Sequence, residues 1–183
     1  MTSAFYDAGK LRQIANNLFL GWGYNYYKRE NQLRADDQLV RSHAATLLGQ
    51  AASSIQTAEV EYRHAALPPT TRASPYPDQA LVSKAQSLEF LNRKVVALEG
   101  RLHALPAPAQ DLMSLRFRQE EDTLVRLIEV DELLVGQSEL LRSRVEGQTG
   151  AWILENISEL QDGLSAIEAT LRDRVGILSG LKP

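Results

Sequence analysis

The sequence contains no cysteine. That excludes disulfides, thiolate metal sites and a cysteine nucleophile, and it fits a reducing compartment such as the cytoplasm. Histidine is scarce as well, with three residues in 183. A signal peptide is not expected: Met-Thr-Ser-Ala-Phe opens the chain without a basic region leading into an apolar core. Long hydrophobic runs are missing too. The longest uncharged stretches hold Asn16 and Asn17, or many Ser, Thr and Gln, and neither makes a good membrane span. Positive charge is not in excess, since the net charge is −3. No global basic field therefore argues for nucleic acid. β-Branched residues never alternate cleanly with polar ones, so no strand is expected.

Helical stripes dominate instead. From Ile153 the apolar residues fall at Ile153, Ile157, Leu160, Leu164, Ile167 and Leu171, in steps of four, three, four, three, four. They line one side of an α-helix. Continuing the pattern gives Arg174 and then Leu178. A similar alternation runs through Leu88, Leu91, Val95, Leu98, Leu102 and Leu105. Between these segments stand Leu112, Leu115, Leu124, Leu127, Ile128, Leu134, Leu141 and Val145, with Val130, Leu133, Val135 and Leu140 widening the apolar face. Earlier come Val40, Ala44, Leu47, Ala51, Ile55, Ala58, Tyr62 and Ala65, an alanine-rich face that lets a neighbouring helix approach closely.

Punctuation places the ends. Pro68 and Pro69 stop the first long helix, and residues 67–77, with four prolines, read as a loop. Asp78 is an N-cap for the second, which Pro106 and Pro108 end. Asp111 can cap the third, Gly147 can close it, and Thr149 can cap the fourth. The expected fold is all-α: an elongated antiparallel four-helix bundle with coiled-coil-like packing, helices about 31–66, 78–105, 111–146 and 150–179. The first helix alone would span roughly 54 Å at about 1.5 Å per residue. Exposed faces offer i,i+4 ion pairs, among them Glu30 with Arg34, Glu89 with Arg93, Asp122 with Arg126 and Glu168 with Arg172.

Residues 1–30 read as a separate amphipathic, aromatic-rich helical extension ahead of the bundle at 31–183. Leu11, Ile14 and Leu18 share one helix face, and Gly21-Trp22-Gly23 would loosen the helix behind them. Seven of the twelve aromatic residues lie in the first 27 positions: Phe5, Tyr6, Phe19, Trp22, Tyr24, Tyr26 and Tyr27. Residues 1–35 carry five Lys or Arg against two acids. Such a segment can dock on a protein partner or an anionic membrane surface. Alternatively, its aromatics plug one end of the bundle's own core, as large aromatics ordinarily do.

Catalytic signals are weak. Bundles can hold two metal ions between carboxylates and Glu-x-x-His motifs, and Glu61-Tyr62-Arg63-His64 is one such motif. No carboxylate stands three residues before His43 or His103, so a second is missing. The plainer reading makes Glu61 and His64 a solvated last turn, where a histidine suits the helix dipole. The acidic run Glu120-Glu121-Asp122, followed by Glu129, Asp131 and Glu132, could bind a cation or a basic partner, but its plainer reading is a solvated helix face. There is no Gly-x-Ser-x-Gly elbow, phosphate-binding loop, His-Glu-x-x-His or dinucleotide fingerprint. The favoured expectation is a non-enzymatic interaction or scaffold protein without cofactor or small-molecule substrate, docking to a protein partner or self-associating. The alternatives are a peripheral membrane-surface protein using residues 1–27 and a metal-binding bundle.

Overall fold

A computed structural model describes residues 3–23, 25, 33–67, 69, 72, 76–105 and 121–179. Of these, 89% are helical and none lies in a strand. A 3-10 turn, Ala4–Tyr6, leads into α1, Ala8–Trp22. The long helices follow: α2, Leu33–Ala66; α3, Gln79–Ala104; α4, Glu121–Val145; and the pair α5, Gly150–Glu155, and α6, Ile157–Ser179. An all-helical bundle is the fold.

The caps explain several boundaries. The Asp78 carboxylate accepts from the Ala80 amide at 2.8 Å, and the Thr149 hydroxyl accepts from Trp152 at 3.3 Å. Gly147 takes φ +67° just past α4, a left-handed conformation that favours glycine. Leu105 turns extended at the end of α3, as the residue before a proline must. The expected fourth helix is broken at Asn156. Its side-chain amide donates to the Trp152 carbonyl at 2.9 Å, a local bond that competes with helix continuation. The stripe survives the break: Ile153, Leu160, Leu164, Ile167 and Leu171 are buried, while Ile157 is half-buried. Asp111, Leu112, Leu115 and the N-terminal part of the expected third helix lie outside the described residues, as do Pro68 and most of the proline-rich loop.

Direction alternates along the chain. Arg41, near the start of α2, donates to the Leu102 and Leu105 carbonyls at the end of α3, at 3.3 and 3.0 Å. α2 and α3 are thus antiparallel, and the guanidinium satisfies carbonyls that a helix C-terminus leaves open. Arg174 in α6 meets Asp131 in α4, and Arg144 in α4 meets Glu159 in α6 at 3.3 Å, so this pair is antiparallel as well. The neighbours differ from a simple sequential bundle, however. α2 packs on both α3 and α4, and α6 packs on both α4 and α3. Asp37 of α2 and Asp131 of α4 share Arg174, and Gly150, just past α4, meets Ala58 and Tyr62 near the end of α2. So α2 and α4 are parallel neighbours, and the consecutive helices α3 and α4 stand across the bundle from each other.

One large buried cluster fills this interior, drawn from α2, α3, α4, α5 and α6. Phe5, from the N-terminal turn, is a full member and is wholly buried. A smaller second cluster joins Ala15 of α1 to Val40 and Leu47 of α2 and Val135 of α4, with Leu18, Phe19 and Trp22 packed against it. The N-terminal segment is thus a fifth packed helix on the α2/α4 pair. α4 shows why its apolar face is so wide: Leu134, Val135, Gly136, Gln137 and Ser138 are all buried in succession. One side of the helix faces the core and another faces α1.

Candidate functional site

Two arrangements could carry function: the N-terminal segment on its groove, and a cluster of buried charges. The segment is built in from its first turn. Ser3 caps the turn, and the Phe5 ring enters a slot over Gly163 of α6. A Cβ at Gly163 would stand 2.6 Å from the ring, so the glycine makes the slot. The Gln137 side-chain amide donates to the Phe5 carbonyl at 3.1 Å. Asp7 then caps α1 through the Lys10 amide at 3.1 Å.

Helix α1 lies along α4 at very close range. A Cβ on Gly136 would meet the Leu11 carbonyl oxygen at 2.3 Å, so only glycine admits the crossing. Arg12 reaches Glu129 at 3.3 Å and Glu132 at 3.8 Å. Burial beneath α1 pushes the Glu132 carboxyl above its usual range, with Arg12 and the Asn16 side chain opposing. At the far end Trp22 stacks on His43 of α2, ring centroids 3.8 Å apart and planes nearly parallel, at 7°, and the Phe19 ring centroid sits 5.7 Å from that of Trp22. Burial lowers the His43 pKa from its ordinary 6.5.

The aromatic and apolar residues singled out in the sequence therefore divide. Phe5 and Leu11 are buried in the molecule. Ile14, Leu18, Phe19 and Trp22 are half-buried. Tyr6 is 54% exposed, and Leu20, on the outward side of α1, is 79% exposed. Tyr24, Tyr26 and Tyr27 lie outside the described residues. Of the cations in the segment, Arg12 is paired and Lys10 is exposed. Lys28, Arg29 and the Arg34 side chain lie outside the described residues.

The charge cluster sits where the start of α2 and the middle of α4 meet the C-terminal part of α6. Arg174, on the apolar stripe of α6, is wholly buried. Its Nη1 stands 2.7 Å from Asp37, and its Nε donates to Asp131 at 2.5 Å. Asp37 also receives Arg41, at 2.9 Å. Asp36, Asp37 and Asp131 are all buried. The reading of the acidic run as a solvated face needs correcting here. Asp131 is an interior residue paired to an arginine, and Glu129 and Glu132 serve Arg12. Glu120, with the side chains of Glu121 and Asp122, lies outside the described residues. One sequence signal did point to the cluster: an arginine occupying a stripe position of the last helix.

Glu61 and His64 are both exposed, close to the end of α2. Arg63, between them, pairs with Glu59 and Glu89. Among the described residues no three His, Asp or Glu side chains converge as a metal site would require. Nor, among them, is any helix long and apolar enough to cross a membrane. What the described arrangement offers chemically is helix surface, a fitted N-terminal helix and internal charge pairing. Comparison with protein-family models, curated proteins and solved structures finds no match for this chain.

Proposed function

We propose that this chain is a non-enzymatic helical interaction protein that docks to a protein partner through the outward side of its N-terminal segment. The observation that carries the reading is the exposure of Leu20 and Tyr6 on a segment whose inner side is already committed to the core. Along the same side Gln13, Asn17 and Gly21 are exposed and uncharged, and Lys10 is exposed and charged. An apolar anchor in a polar rim with a single exposed cation among the described residues suits a protein surface, where large side chains carry most of the binding energy. It suits an anionic lipid surface less, because Arg12 is engaged with Glu129 and Glu132 and Lys10 alone is left as an exposed cation in the described part of the segment. A reducing compartment such as the cytoplasm fits the cysteine-free composition.

The test replaces Tyr6 and Leu20 together by serine. Both are exposed, so the melt should stay within about 0.5 kcal/mol of the parent. A protein that co-purifies with the parent chain from its native host, and rebinds when both are purified, should be lost from the variant. Undiminished binding by the double variant would refute the proposed surface.

A further inference from the structure

We infer that α1 is a hinged strap: it lifts from the α2/α4 groove as one unit, turning about Asp7, while Phe5 and the four-helix core stay in place. Four features carry this. First, the N-terminal segment is divided between two separate interiors. Phe5 belongs to the main cluster, whereas Ala15, Leu18, Phe19 and Trp22 belong to the small one with Val40, Leu47 and Val135. The division falls at Asp7, which both ends the 3-10 turn and caps α1.

Second, α1 is closed at both ends by its own residues. The Asp7 side chain takes the Lys10 amide, and the amide of left-handed Gly23 returns to the Leu20 carbonyl at 3.2 Å. Lifting the helix therefore exposes no newly orphaned end, which would otherwise oppose the motion. Third, the outer polar tie to α4, from Arg12 to Glu129, is replaceable by water, while the inner one runs to Glu132, whose side chain is 17% exposed. The Arg12 and Glu129 side chains are 39% and 46% exposed, and exposed pairs hold weakly. The Glu132 carboxyl, which Arg12 and Asn16 contact, is disfavoured in its charged form by burial beneath α1 and regains solvent when the helix lifts. Fourth, the closed state depends on a backbone approach at a single glycine, Gly136 against Leu11. Closed, the strap covers Val40, Leu47 and Val135; open, it bares them.

Gly136 supplies the wedge for a test on the full chain. Alanine there blocks α1 sterically while favouring the helical state of α4 itself. The measurement is hydrogen–deuterium exchange followed segment by segment. In the parent chain, residues 8–22 should exchange at least about tenfold faster than the core segments of α3 and α6. Gly136→Ala should speed residues 8–22 by a further tenfold or about that, leaving α3 and α6 unchanged. Phe5→Ala should speed all three segments, because its ring lies in the main cluster. Equal protection of α1 and the core in the parent chain would overturn the strap. So would a Gly136→Ala chain in which every helix loosens together, unfolds outright, or none responds.

Discussion

Arg174 shows at the scale of one residue how this interior is specified. A stripe of Ile and Leu would pack without it, yet a wholly buried guanidinium bridges Asp37 and Asp131. Burying such charges costs several kcal/mol each, offset only by close pairing. Arg174→Met should therefore cost about 3–5 kcal/mol in urea unfolding, because it leaves two buried carboxylates without their shared cation. Arg174→Lys should recover little of that, since an ammonium lacks the planar fork that meets two carboxylates. A methionine variant as stable as the parent would mean that the pair is not buried as described. The Phe5 slot gives a second test. Phe5→Ala should cost about 3–5 kcal/mol, and Gly163→Ala about 1–3 kcal/mol by crowding the ring. The two contacts share one space, so the double variant should cost less than the sum. At this scale the sequence was partly readable. Arg174 announced itself by interrupting a stripe. Asp131 did not, because a carboxylate among carboxylates looks solvated until its partner helix is known.

Single helices were the most readable elements. Their buried sides follow largely from apolar spacing, and the α6 stripe is buried from Leu160 to Leu171 as its periodicity requires. Leu164→Ala should accordingly destabilise by about 2–5 kcal/mol, against less than about 0.5 kcal/mol for Glu168→Ala. Equal losses in denaturant melts would refute the assigned face. What spacing could not convey was pairing. Glu89 meets Arg93 as the i,i+4 rule suggests, but Glu168 reaches Arg101 on the neighbouring helix at 3.5 Å. The width of the α4 face is what a second packed neighbour requires, but nothing in the spacing names α1. The end of α1 also carries a pH dependence. Burial holds His43 neutral, so its contribution is fully present above 6.5 and is lost as pH falls through the lowered folded value. Comparing the parent with His43→Gln in urea, the stability gap should be constant above 6.5 and shrink below it. A gap that widens in acid would show the opposite shift.

The whole molecule is a four-helix core with a fifth helix strapped across two parallel neighbours. Its all-helical class was legible in the sequence, since four stripes and no alternation leave little else. Its arrangement was not. Leu, Ile, Val and Ala on every stripe say which side is buried but not against whom. Discrimination rests on a few singular contacts: Gly136 beneath Leu11, Gly163 beneath Phe5, and Arg174 between two aspartates. Each is long-range in sequence, and no local pattern names its partner. The N-terminal segment was the open case, readable either as a free docking element or as part of the core. Its placement supports the second for Phe5, Leu11 and Ala15, and leaves Tyr6 and Leu20 outward. Equilibrium urea unfolding of the full chain beside a chain lacking residues 1–22 tests this account most directly. Loss of Phe5 and the small cluster should lower stability by several kcal/mol, at roughly 1.5–3 kcal/mol per large buried side chain, or leave a protein that aggregates. A truncated chain that stays monomeric and unfolds at the same urea concentration as the parent would contradict it.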